Sequence, residues 1–269
     1  MDYVKFIILS GEPVLQQPWS LKTAATIVKQ AGPDGIHPEI AKRWAYVPGM
    51  MLMAIARTGE QYQRDEYFDF MKRHMDLFVQ EDGSIKTYRL EEYNLDQINQ
   101  GKNLFMLLER TGEERYAKAA HRLATQLAGH PRTTEGGFWH KKIYPFQMWL
   151  DGLYMSSPFL DQYAKVFNRP ELFDEVAHQI LYIEQKTRDP QTGLLYHGWD
   201  EARSGRIRLR AVRPISGVVR LVGMSWRSWT AWSSFRLTIR NAARSSAFSS
   251  GWPMRCTKCK KRKAAYGFK

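Results

Sequence analysis

Runs of apolar residues at helical spacing alternate with short breaks along the first 202 residues, and the alternation repeats. A Met-, Leu- and Ala-rich run from Trp44 to Ala56 is broken at Arg57-Thr58-Gly59-Glu60 and followed by an amphipathic run from Tyr62 to Val79. About 53 residues later the order returns: residues 97 to 109 lead into Arg110-Thr111-Gly112-Glu113, and an amphipathic run follows from Arg115 to Leu127. A third copy starts near Gln147, turns at Asn168-Arg169-Pro170 and continues from Leu172 to Thr187. Gly or Asn can supply a left-handed helix stop and Pro can open the next helix, so each copy is predicted to be a helical hairpin. The first helix of each pair is apolar on most sides and is expected in an inner layer, whereas the second is striped and is expected to face solvent. An upstream helix over Ser20 to Gln30, with Ser20 as its N-cap, would be the outer partner of a preceding unit. Stacked hairpins imply a toroid or solenoid whose long loops, 80 to 95 and 133 to 146, are the natural place for a site.

Composition sharpens this picture mainly through the distribution of charge. The net charge of +13 invites a nucleic-acid or membrane reading. Yet residues 1 to 202 hold 23 Lys and Arg against all 27 Asp and Glu, a balance of −4, and residues 203 to 269 hold the other 17 Lys and Arg with no acid. The basic excess therefore belongs to the tail alone. The N-terminal stretch has no basic leader, and nowhere do roughly 18 apolar residues run together, so a soluble, cytoplasmic chain with no membrane partner is expected. Cys256-Thr257-Lys258-Cys259 followed by Lys260-Lys261-Arg262-Lys263 resembles half a zinc knuckle beside a phosphate-binding run. A structural zinc needs four ligands and these are the only two cysteines, so neither a metal nor a nucleic-acid partner is expected. No cofactor motif is present either.

Two segments carry candidate chemistry: Tyr93-Asn94-Leu95-Asp96-Gln97-Ile98-Asn99-Gln100-Gly101-Lys102, and Phe138-Trp139-His140 running on to Gln147-Met148-Trp149-Leu150-Asp151-Gly152-Leu153-Tyr154. Each places an Asp just before an inner helix, where it can equally be a helix cap. Their equivalent positions in successive hairpins would point both to one end of the toroid. Tyr93, Trp139, Trp149 and Tyr154 surround them, and His140 and His197 lie in neighbouring loops. Two carboxylates among stacking aromatics suit sugar chemistry, one to move a proton and one to position or stabilise.

FWHKKIYPFQMWLDGLYM, YNLDQINQGK and GLLYHGWDE, in this chain's order and spacing, resemble the unsaturated rhamnogalacturonyl and unsaturated glucuronyl hydrolases, glycoside hydrolase families 105 and 88. The resemblance covers roughly residues 19 to 202 and implies an all-α fold, an (α/α)6 barrel of six hairpins, here incomplete. It further implies removal of a 4,5-unsaturated uronic acid from the non-reducing end of a lyase-generated oligosaccharide. By motif match Asp151 would be the acid/base and Asp96 the second carboxylate. His140, His197, Trp149, Trp44, Tyr46 and Lys141 would contact the substrate, with Trp149 and Trp44 as apolar walls. Each has a plainer reading: a loop contact for His140, a buried partnered histidine for His197, core packing for the tryptophans and a solvated pair for Lys141-Lys142. A non-catalytic helical-repeat scaffold is the alternative function of a different class.

After Glu201 the expected next hairpin is replaced by an Arg-, Ser- and Trp-rich stretch without a helical stripe. Trp has a single codon, so Trp226, Trp229 and Trp232 read one base late each require an apolar codon ending in TG followed by one beginning with G. Residues 205 to 235 decode in that way into a family-like string containing FWGRAIGW. Residues 1 to 202 are accordingly read as a partial barrel domain, and residues 203 to 269 as a frameshift-derived, poorly ordered tail. Low stability and little activity are expected of such a chain.

Overall fold

The computed structural model describes residues 17–203 and the backbone of 205–207. The expected disorder of residues 203–269 does not hold at their start, where residues 205–207 form a strand paired with 198–200; the other tail readings, including the Cys256 to Lys263 run, fall outside the described residues. Helix α1, Trp19–Lys29, comes first; Pro18 precedes it and no side chain caps it, so Ser20 lies inside the first turn instead of at the cap. Three hairpins follow. The first pairs α2, Tyr46–Tyr62, with α3, Asp65–Asp76. The second joins α4, Leu95–Gly101, and α5, Asn103–Thr111, through Lys102 and pairs them with α6, Glu114–Ala128. In the third, α7, Leu150–Val166, is paired with α8, Glu171–Thr187.

Two of the three expected helix stops act as described. Gly112 takes the left-handed conformation after α5 and Asn168 takes it between α7 and α8. The first differs: α2 runs through Arg57-Thr58-Gly59-Glu60 and stops only at Gln63, which is itself left-handed. Gly59 serves close packing instead, because a Cβ there would come within 2.7 Å of the Arg64 carbonyl oxygen and 2.9 Å of Tyr67 Cβ.

The inner helices meet without intervening side chains. At Gly49 on α2, a Cβ would lie 2.5 Å from Gln100 Cα and 2.9 Å from its backbone nitrogen. Buried polar residues of α4 and α5 use this proximity to bind α2. Ala45 N–H donates to Gln100 Oε1 at 2.9 Å, Asn99 Nδ2 to the Tyr46 carbonyl at 3.0 Å, and Asn103 Nδ2 to the Gly49 carbonyl at 3.1 Å. Gly49→Ala must push backbone away from backbone, so a loss of about 1–3 kcal/mol is expected, read as a lower midpoint in thermal denaturation.

A small antiparallel sheet interrupts the all-helical pattern: β1, Gln147–Trp149, pairs with β2, Gly198–Asp200, and β2 with β3, Gly205–Ile207. In register Trp149 faces Gly198, where a Cβ would come within 2.4 Å of the Met148 carbonyl. This sheet lies directly before α7 and fixes its first turn. Among the described residues no helix is long and apolar enough to cross a membrane.

Candidate active site

The sequence places Asp96 and Asp151 at the same helical position, and the structure gives the reason it matters. Each is the second residue of an inner helix, α4 and α7. Neither is the cap. Asn94 caps α4, its Oδ1 accepting the Asp96 N–H at 3.0 Å, and Trp149 precedes α7 with no side-chain cap bond. Both carboxylates are therefore released from capping and available for other contacts.

Those contacts converge on His140. Its Nε2 lies 3.5 Å from Asp96 Oδ1 and its Nδ1 3.8 Å from Asp151 Oδ1, so one imidazole ring stands between the two acids. The loop strand carrying it is held at both backbone groups: Leu95 N–H donates to the His140 carbonyl at 3.1 Å, and His140 N–H donates to the Gln147 carbonyl at 2.7 Å. The ring stacks on Trp149 at 4.3 Å between centroids and 13° between planes, and Tyr144 also stacks with the Trp149 indole, at 5.1 Å and 17°. Gly152, one residue after Asp151, makes room for it, since a Cβ there would sit 3.2 Å from His140 Nδ1.

Burial of the ring, with 1% of its side chain exposed, pushes its pKa down to about 4; Asp151 opposes that shift and Lys141, His197 and His130 add to it. His140 is therefore neutral near pH 7 and has one N–H to offer two carboxylates. His140 Nδ1 and Asp151 Oδ1 are both buried without a hydrogen-bond partner among the described residues. Asp96, by contrast, is paired with Lys141, whose Nζ lies 2.6 Å from Oδ2. Lys141 thus turns its charge toward Asp96.

His197 belongs to the same cluster. Its carbonyl accepts the Leu150 N–H at 2.7 Å, tying β2 to the start of α7, and its ring lies 5.2 Å from Trp149. Burial lowers its pKa, with the Asp151 charge acting in the opposite sense. Trp149 Nε1 donates to Gln147 Oε1 at 3.1 Å, and Gln147 Nε2 donates to Asp200 Oδ2 at 3.2 Å, which sets the indole plane from behind.

Two sequence candidates lie elsewhere. Trp44 is 1% exposed, its Nε1 donates to the Gln97 carbonyl at 2.7 Å, and it meets Phe78 edge-on at 6.2 Å. It supports α4 from beneath and offers no wall to a ligand, because the loop before α2 tucks its indole into the core. Tyr46 is exposed at the first position of α2, outside the contacts that join the two acids. Tyr144, Gln147 and Gly152 were not singled out in the sequence. Gly152 carried a signal: a glycine in a helix's first turn marks a close approach, here of the His140 ring.

The model of Glycosyl Hydrolase Family 88 matches residues 19–207. The chain belongs to that family. This family 88 chain is 28% identical over 163 residues to the unsaturated rhamnogalacturonyl hydrolase YesR of Bacillus subtilis (strain 168), an overlap of 58% of this chain and 45% of YesR. It is similar to the solved glycoside hydrolase from family 105 of C. acetobutylicum ATCC 824, with 42% identity and a TM-score of 0.65, covering 70% of this chain and 50% of that one. A possible member of the GH105 family from Klebsiella pneumoniae subsp. pneumoniae MGH 78578 is 27% identical with a TM-score of 0.54, covering 61% of this chain and 42% of that one. The chain spans about half the length of these relatives. The family 88 fold is the six-hairpin (α/α)6 barrel, and the described residues supply three complete hairpins of it.

Proposed function

We propose that this chain carries the acid/base site of a glycoside hydrolase that removes a 4,5-unsaturated uronic acid from the non-reducing end of lyase-generated oligosaccharides, rhamnogalacturonan fragments being the favoured class. The observation that carries the reading is the convergence of Asp96 and Asp151 on the single buried ring of His140. The similarity to YesR supports the substrate class.

In the proposed reaction Asp151 gives a proton to C4 of the enol-ether double bond, and its carboxylate then takes a proton from the water whose oxygen bonds to C5. The hemiketal so formed at C5 opens and the adjoining sugar leaves. Asp151 suits the role because its Oδ1 has no hydrogen-bond donor among the described residues, whereas Asp96 is already ion-paired with Lys141. Asp96 with Lys141 fixes the far side of His140, and the exposed parts of Trp149 and Tyr144 supply an apolar surface for the sugar ring.

With residues 203–269 read as a frameshifted continuation, much of the barrel wall is replaced, and the 269-residue chain is expected to turn over an unsaturated disaccharide slowly. Loss of the ultraviolet absorbance of the conjugated double bond measures this. A rate as high as that of a full-length relative would contradict the frameshift reading, and sequencing the message across codons 198 to 210 and past the stop in all three frames tests it independently.

A further inference from the structure

Behind the acid pair runs a polar chain that the proton transfers do not use. Gln147 and Asp200 are direct partners across β1 and β2, so their side chains leave the sheet on one face. Trp149, two residues on, projects from that same face. Its own partner is Gly198, where a Cβ would lie 3.0 Å from Trp149 Cδ1, so the facing strand is bare of side chain where the indole lies.

The chain has one direction. Asp200 is 6% exposed; its Oδ1 accepts the Arg203 backbone N–H at 3.2 Å and its Oδ2 accepts from Gln147 Nε2 at 3.2 Å. A carboxylate can only accept and an indole N–H can only donate. Asp200 therefore claims the NH2 end of the Gln147 amide and leaves the amide oxygen to Trp149 Nε1, 3.1 Å away. An indole held by its N–H keeps one plane, and that plane carries the His140 ring at 4.3 Å and 13°. His140 is in turn the ring on which both acids converge.

We propose that Asp200 and Gln147 are positioning residues of the acid/base site. Asp200 orients the Gln147 amide, Gln147 locks the Trp149 indole, and the indole holds His140 between Asp96 and Asp151. Neither residue touches the reacting atoms. The effect on rate rests on the hydrolase reading, whereas the placement of the ring is measured without turnover.

Proton NMR of the full 269-residue chain reports that placement. Stacking on an indole shifts the carbon-bound protons of His140 upfield, and His140→Gln identifies these signals by their absence. Gln147→Leu, which removes both side-chain bonds, is expected to lose most of the upfield shift, and Asp200→Leu the same. Asp200→Asn, whose amide oxygen can still accept from Gln147, should keep it. His121 on α6, packed on Phe167 at 4.3 Å, should keep its signals in every variant. With an unsaturated disaccharide, Gln147→Leu and Asp200→Leu are expected to lower kcat about tenfold to a hundredfold, the usual cost of a misplaced group, and Asp200→Asn to stay near the parent. A His140 shift retained in Gln147→Leu, or lost equally in Asp200→Asn and Asp200→Leu, would overturn the chain of contacts. Movement of the His121 signals together with those of His140, or an unchanged kcat in a chain that has lost the shift, would overturn the positioning role. A parent chain with shifted His140 signals and no turnover would overturn the hydrolase reading and leave the placement of the ring standing.

Discussion

Replacing Asp151 with Asn is expected to lower the rate of double-bond hydration by about a hundredfold to ten-thousandfold, the usual contribution of a positioned general acid. Asn keeps the size and much of the polarity of the side chain but can neither give up nor regain a proton at this position. The fold should survive the change, because among the described residues Asp151 caps no helix and accepts no hydrogen bond at Oδ1. The comparison is best made both in this chain and in one whose reading frame is restored from codon 205, where the parent rate should be higher. A helical-repeat scaffold would be indifferent to the substitution. An unchanged rate with intact binding would therefore remove Asp151 from the chemistry and favour the scaffold.

The second large effect is on stability in acid. His130 and His140 are both held near a pKa of about 4 by burial, against an ordinary value of 6.5, and burial also lowers His74 and His197. Above pH 6.5 these rings are neutral in the folded and unfolded chain alike, and they cost nothing. As pH falls below 6.5 the unfolded chain takes up protons that the folded chain refuses, so stability declines steadily until the folded values near 4 are reached. Each of His130 and His140 then withdraws about 3 kcal/mol, and together they approach the whole stability of an ordinary domain. Urea unfolding followed by circular dichroism should show a flat midpoint from pH 8 to 7 and a steep fall between 6.5 and 4. A midpoint constant down to pH 4.5 would mean that these rings are not buried as neutral species.

The helices were legible because their apolar faces and their stops and starts lie within single local windows, as at left-handed Gly112 and Asn168 and at Pro170, which opens α8. Gly59 misled for a physical reason: a helix-internal glycine that admits the following turn looks, in sequence, like one that ends a helix. The β1–β2 pairing joins Gln147 to Asp200 across more than 50 residues, and three-residue strands carry no periodicity of their own. Asp96, Asp151, His140 and His197 could be found as chemistry-bearing residues, and the structure brings both acids to the His140 ring and both histidine rings to Trp149. Trp44 could not be sorted in the same way. Core and sugar-stacking tryptophans look alike until the indole N–H is seen donating to the Gln97 carbonyl. Asn99 and Gln100 of the Asp96 segment, with Asn103 just after it, clamp α2 to its neighbour through hydrogen bonds to its backbone.

The most direct measurement is a crystal structure of the Asp151→Asn chain soaked with an unsaturated disaccharide. The unsaturated ring should lie on the face of Trp149, with C4 toward residue 151 and a hydroxyl within hydrogen-bond reach of His140 or Asp96. Electron density for the sugar in a crevice that touches only one of residues 96 and 151, or on the outer helices, would contradict a shared two-carboxylate site.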